Sequence, residues 1–141
     1  MSSAKRIVVA EDDPDMRMLV VEALQSDGYE VEAVPDGGRL LVLLAKCCRD
    51  EAAIPDLIVS DVRMPVMTGL AMLKGVREAR WTIPIVLMTA FPDGDTRWRA
   101  QTLDATVLAK PFRLNELREI VVDRLAHGGS RPPSARVPAE A

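Results

Sequence analysis

Four apolar runs in this chain end on residues able to do chemistry. Arg6–Ala10 (RIVVA) stops at Glu11, Asp12 and Asp13; Leu57–Ser60 (LIVS) stops at Asp61; Ile83–Met88 (IPIVLM) runs into Thr89; and Thr106–Ala109 (TVLA) stops at Lys110. Carboxylates gathered in one crevice repel one another and are costly to keep ionised without a cation. A small set of hard oxygen ligands suits Mg2+, which keeps several waters and takes one or two carboxylates together with phosphate oxygens. A carboxylate is also a competent nucleophile toward phosphorus, giving an aspartyl phosphate. The cation, an ammonium such as Lys110 and a hydroxyl such as Thr89 would stabilise the phosphoryl oxygens. A single site built around Asp61 therefore accounts for Glu11, Asp12, Asp61, Thr89 and Lys110 together, provided that the fold brings the run ends to one place.

That convergence requires strands that run the same way. A short continuous apolar run bounded by turn signals suits a strand buried on both faces, as in parallel sheets covered by helices. Val31, Ala33 and Val34 mark one more short strand. Helical patterns lie between the runs. Pro14 suits a first helical turn, where its missing N–H costs nothing. Met16, Leu19, Val20, Ala23 and Leu24 then mark one apolar face, and Asp27-Gly28 closes the helix. A helix over 39–49 is expected to bury Leu40, Leu41, Leu43, Leu44 and one of the two adjacent cysteines, and one over 70–79 to bury Leu70, Leu73 and Val76. The stretch 96–103 reads as a short, weakly amphipathic helix, and Leu114, Leu117, Ile120, Val121 and Leu125 mark a final one. Strands alternating with helices predict an α/β fold, a doubly wound five-stranded parallel sheet. In the order 2-1-3-4-5 the first and third strands flank the switch point, where ligands bind outside the carboxyl ends. Residues 1–127 are expected to form one domain. The tail 128–141, rich in Gly, Pro, Ser, Ala and Arg, is expected to stay disordered because it has too little apolar surface to offset ordering.

Composition narrows the function classes. The 141 residues are 48% hydrophobic and 28% charged with a net charge of −3, a soluble globular balance without the basic footprint of a nucleic-acid binder. No apolar run approaches a membrane span, and the start MSSAKRIVVAEDD is too short in apolar residues for a signal-peptide core; a cytoplasmic protein is expected. Cys47 and Cys48 have no partner elsewhere for a disulfide framework, and they read as one inward and one outward helix residue.

The runs RIVVAEDDPDMR and DLIVSDVRMPVMTGL, the pair Thr89-Ala90 and the run VLAKPF resemble the response-regulator receiver family, the flavodoxin-like, CheY-like domain of two-component signalling, over about residues 5–126. The resemblance implies that Asp61 accepts a phosphoryl group from a histidine kinase or a histidine phosphotransfer protein. It implies Mg2+ held by Glu11, Asp12, Asp61 and the backbone carbonyl of Arg63, with Asp13 as a supporting acid or helix N-terminal residue. Lys110 would pair with the phosphoryl group, Thr89 would move toward it on activation, and Lys110-Pro111 would be a cis peptide. Two departures concern the output. Family members often carry Tyr or Phe where this chain has Val107, and a Gly-Ala pair is replaced by Asp104-Ala105. The family's usual partner face would hold Arg97, Trp98 and Arg99, with Trp and Arg being common interface anchors.

The leading expectation is a stand-alone receiver that signals by phosphorylation-dependent contact with another protein, as a monomer or a phosphorylation-linked dimer, and not an enzyme with a separate substrate. Four alternatives stand beside it. One is a receiver module cut from a larger regulator or hybrid kinase, and another a degenerate receiver that is not phosphorylated. A haloacid-dehalogenase-like phosphatase would want DxD at the first strand, and a flavodoxin-like nucleotide or flavin binder a Gly- or Ser/Thr-rich phosphate loop there.

Overall fold

Side-chain alternation along the central strands divides the interior into two layers, because successive residues of a strand face opposite sides of the sheet. The structure, a computed structural model, describes residues 4–127; the proposed tail from Gly128 lies outside them. Strands β1 (Arg6–Ala10), β2 (Glu30–Val34), β3 (Leu57–Asp61), β4 (Ile85–Thr89) and β5 (Thr106–Ala109) form one parallel sheet in the order β2-β1-β3-β4-β5. Ile7, Val9, Leu57, Val59, Val86 and Met88 face one layer, where they meet Val20 and Leu24 of α1 (Pro14–Ser26) and Leu117 and Val121 of α5 (Leu114–His127). Val8, Ala10, Ile58, Ile85 and Leu87 face the other. There they pack on Leu40 and Leu44 of α2 (Gly37–Arg49), Leu70, Leu73 and Val76 of α3 (Gly69–Glu78), and Ala100 of α4 (Gly94–Thr102). This is the doubly wound arrangement that the strand–helix alternation predicts.

Four of the five helix starts have a local cause. Asp13, Asp36, Thr68 and Asp93 are N-caps whose side-chain oxygens accept from the backbone N–H of Asp15, Arg39, Ala71 and Thr96 respectively, so each satisfies a donor that the first helical turn leaves unpaired. The Arg118 guanidinium closes the α1–α5 layer by gripping the Asp27 carboxylate at 2.9 and 2.5 Å.

Some apolar positions face the other way from their expectation. Leu19 and Leu41 are exposed, whereas Met72, absent from the expected α3 face, is buried. A spacing of three or four residues admits more than one arc around a helix. In α1 the arc that meets the sheet runs through Val20 and Leu24. The cysteines divide as expected, Cys47 buried and Cys48 exposed.

Candidate functional site

Parallel pairing places the chemistry. Ser60 lies opposite Ala10, Asp61 opposite Met88, and Thr89 opposite Ala109. The carboxyl ends of β1, β3, β4 and β5 therefore lie at one edge. Backbone bonds extend the sheet one step beyond its strands. The Glu11 N–H donates to the Val34 carbonyl at 3.1 Å, the Val62 N–H to Met88 at 2.9 Å, and the Lys110 N–H to Thr89 at 2.8 Å. Residues just past the strands are thus held as firmly as those within them.

Glu11 is fully buried and fully engaged. One carboxylate oxygen accepts from the Asp13 N–H at 3.1 Å and the other from the Lys110 ammonium at 2.9 Å. Its carbonyl accepts from Arg17 at 2.9 Å. The same ammonium lies 3.4 Å from an Asp61 carboxylate oxygen, so Lys110 bridges the acids of β1 and β3. The bond between Lys110 and Pro111 is cis, as the resemblance implies. Carboxylate oxygens of Glu11, Asp12 and Asp61 all lie within 4.8 Å of one another. Asp12 is exposed and Asp61 nearly buried, so the cluster opens to solvent on the Asp12 side.

The electrostatics follow from this crowding. Burial, and after it the neighbouring Glu11 carboxylate, push the Asp61 carboxyl up to about 6, with Lys110 pulling the other way. Burial works against the Lys110 ammonium, but its bonds to Glu11 and Asp61 outweigh that and hold it above its ordinary value. One ammonium thus faces three carboxylates, an uneven balance that a divalent cation would correct. The donor set suits Mg2+: oxygens bound at about 2.1 Å in octahedral geometry stand about 3 to 4.2 Å apart. Glu11, Asp12 and Asp61 are the residues that would hold it, and Asp13 serves α1 as its N-cap.

Thr89 is buried, and its hydroxyl oxygen accepts from the Phe91 N–H at 3.0 Å. Arg97, Trp98 and Arg99 lie on the exposed side of α4, away from the acids. Trp98 is 66% exposed, while the tryptophan in the core is Trp81. Arg97 donates to the Pro92 carbonyl at 3.1 Å, and Arg99 faces Asp95 at 3.6 Å.

Three contacts that shape the site go beyond the sequence reading. A Cβ on Gly69 would stand 2.5 Å from the Asp61 carbonyl oxygen; the glycine's hydrogen atom lets the start of α3 pass beneath the acceptor. The buried Ser60 hydroxyl donates to the same carbonyl at 2.9 Å. The guanidinium of Arg63 lies over the Phe91 ring, 4.9 Å from its centroid. Only the Thr68-Gly69 pair following Met64-Pro65 carried a signal in the sequence. The other two depend on tertiary neighbours.

Comparison with known proteins agrees with this geometry. The profile of the response regulator receiver domain matches residues 7–122. The sensor histidine kinase TmoS of Ectopseudomonas mendocina is 38% identical over 122 residues, 83% of this chain and 12% of that protein. Chemotaxis protein CheY4 of Vibrio cholerae superposes with a TM-score of 0.73 at 32% identity, covering 86% of this chain and 98% of that one. The response regulator TrrA of Thermotoga maritima, solved in complex with Mg2+ and BeF, gives 0.71 at 29% identity, covering 84% and 97%. The chain spans only part, between 12% and 53%, of the length of several curated relatives it matches. With the five-stranded order, the acid cluster and the lysine already in place, this chain belongs to the response-regulator receiver family of two-component signalling.

Proposed function

We propose that Asp61 is the phosphoryl acceptor of this receiver. Its carboxylate oxygen attacks the phosphorus of a phosphohistidine on a histidine kinase or a histidine phosphotransfer protein. A P–O bond forms as the P–N bond breaks, the acyl phosphate stays on Asp61, and the imidazole leaves with the electron pair and takes up a proton. Mg2+, when bound at Glu11, Asp12 and Asp61, supplies positive charge to the phosphoryl oxygens. The observation that carries the reading is Lys110, whose ammonium stands 2.9 Å from Glu11 and 3.4 Å from Asp61. There it can exchange a carboxylate partner for a phosphoryl oxygen without travelling. Thr89, one strand over, has a hydroxyl that can turn to donate to the same group.

The output of this chain is protein contact through the α4 side, with exposed Trp98, Arg97 and Arg99 offered to a downstream partner. It acts in the cytoplasm, its own chemistry confined to gaining and losing the phosphoryl group; among the described residues no helix is long and apolar enough to cross a membrane. A second reading has the same chemistry in a module of a larger regulator, favoured by the 12% of TmoS that the chain spans.

The test uses small donors with the two relevant leaving groups: acetyl phosphate, and phosphoramidate with its P–N bond. Intact mass spectrometry should show one added phosphoryl group with Mg2+, and none with the metal chelated or in Asp61→Asn. No mass increase with either donor would make a receiver that works unphosphorylated the better account.

A further inference from the structure

Helix α4 is seated on small side chains. It buries only Thr96 and Ala100, so its entry depends on the segment that leads into it. That segment, Phe91 to Asp93, makes few bonds, and they form a chain. The Phe91 N–H donates to the Thr89 hydroxyl oxygen at 3.0 Å. The Asp93 N–H donates to the Phe91 carbonyl at 2.8 Å, and the Asp93 carboxylate accepts from the Thr96 N–H, also at 2.8 Å. Phe91 is therefore tied by its backbone to Thr89 on one side and to the α4 cap on the other.

Its ring makes a separate connection. Phe91 is 61% exposed, yet the Arg63 guanidinium carbon lies 4.9 Å from the ring centroid, within reach of a cation–π attraction. Arg63 belongs to the loop that starts at Asp61, two residues after it. The Arg63 charge also reaches the cap. The Thr96 backbone N–H, then the Thr96 hydroxyl, and to a lesser degree Arg63 hold the Asp93 carboxyl below its ordinary value. The acceptor loop and Thr89 thus converge on Phe91 from two directions. Val107 packs into the same layer as α3 and α4, and it leaves that layer without a ring that could swing.

We propose that Arg63 is a positioning residue that, stacked on Phe91 and facing Asp93, couples the state of the Asp61 loop to the N-terminus of α4. The inference rests on Asp61 as the acceptor. When the Thr89 side chain rotates and carries its hydroxyl oxygen toward a phosphoryl group, the Phe91 N–H must follow it or lose its partner. Arg63 holds the ring against the acceptor loop during that change, so the displacement passes to Asp93 and the first turn of α4. At an exposed site such a stack biases the docked over the undocked ring by about two- to fivefold. That suffices to set the size of a response in a helix held by only two buried residues.

The test compares the wild type with Arg63→Ala, Arg63→Lys and Phe91→Ala, all changes at exposed side chains, before and after addition of Mg2+ and beryllofluoride. Occupancy of Asp61 is read from the fluorine resonance of the bound ion. The response is read from amide shifts of Asp12 and Val62 at the site and of 94–102 in α4. Phe91→Ala should show bound fluoride and site shifts like the wild type, and the two Arg63 variants are compared at saturating beryllofluoride, with their α4 shifts scaled to the fluoride occupancy each reaches. The α4 shifts should fall about two- to fivefold in Arg63→Ala and Phe91→Ala. They should recover in part in Arg63→Lys, which keeps the charge but not the planar stack. Full-sized α4 shifts in both alanine variants would overturn the coupling. If the wild type shows no bound fluoride, the acceptor reading fails on its own. The latch is then judged in the unliganded protein by hydrogen exchange. Faster exchange at Thr96 and Arg97 in both alanine variants, with β1 unchanged, supports it, and unchanged exchange there refutes it.

Discussion

At the scale of single residues, the site is an electrostatic compromise whose pH dependence is calculable in sign. The Asp61 carboxyl stands at about 6 in the fold against the ordinary carboxylate range near 4 in an unfolded chain. The folded state therefore binds a proton more tightly than the unfolded one, so stability falls as pH rises from about 4 to about 6 and is level above that. Asp61→Asn removes this loss. Urea unfolding in the presence of a chelator should find the variant more stable than the wild type at pH 8, with the gap closing by pH 4. Added Mg2+ at pH 8 should stabilise the wild type more than the variant. A gap independent of pH would show that Asp61 is not strained by its neighbours. Asp61 is thus held at a cost in the metal-free protein, a pattern common at binding sites.

At the scale of elements, two connections carry strain or support that a linear reading misses. Val66, in the loop between β3 and α3, is 82% exposed and holds φ at 77°, a left-handed conformation that a β-branched residue adopts only under constraint. The Met67 N–H donates to the Pro65 carbonyl at 2.9 Å across it, closing a tight turn that presses the loop against α2. Val66→Gly relieves the clash but loosens the unfolded chain, so a net gain of about 0.5–1 kcal/mol is expected in a denaturation midpoint. A loss would mean that the branched side chain has a packing role there. Arg77 works in the opposite direction. From α3 its guanidinium donates to the carbonyls of Leu103, Trp81, Ile83 and Asp104 at 2.7, 2.8, 2.9 and 3.2 Å. It pins the approaches to β4 and β5, including Asp104 at φ 57°, where the Gly of the family pattern would sit without strain. Arg77→Ala should cost about 2–4 kcal/mol by chemical denaturation, since it leaves several carbonyls without their partner. A loss well under 1 kcal/mol would show that water replaces it.

These elements also mark what the sequence could tell. The strand runs and the residues at their ends were legible because parallel strands carry an unbroken apolar signal and end where the chemistry begins. Asp61, Glu11, Lys110 and Thr89 could be placed from that pattern and the family resemblance. The outward turn of Leu19 and Leu41 was not legible, because apolar spacing of three and four admits two arcs and only the sheet chooses between them. Nor was the burial of Trp81 in the core. The reach of Arg77 to Leu103 and Asp104 and the Arg63–Phe91 stack escape for a common reason: each acts on a segment distant in sequence, and local spacing carries no record of that neighbour.

At the scale of the whole molecule, the two layers divide the labour. The α1–α5 layer is closed by Arg118 and Asp27 and meets the acid cluster through Arg17 of α1 and the N–H of its cap, Asp13. The layer of α2, α3 and α4 holds the loops that leave Asp61 and Thr89, together with α4, which buries only the small Thr96 and Ala100. On the coupling proposed above, a change at the carboxyl edge of the sheet travels toward α4 and its exposed Trp98. The account stands or falls on Asp61. Brief exposure to acetyl phosphate and Mg2+, then to hydroxylamine, converts an acyl phosphate into a hydroxamate with release of phosphate, and fragment-ion mass spectrometry locates the modified carboxyl. A hydroxamate at Asp61, lost when Mg2+ is withheld, is the expected result. A hydroxamate at Glu11 or Asp12 in its place, or at no carboxyl, would contradict the assignment.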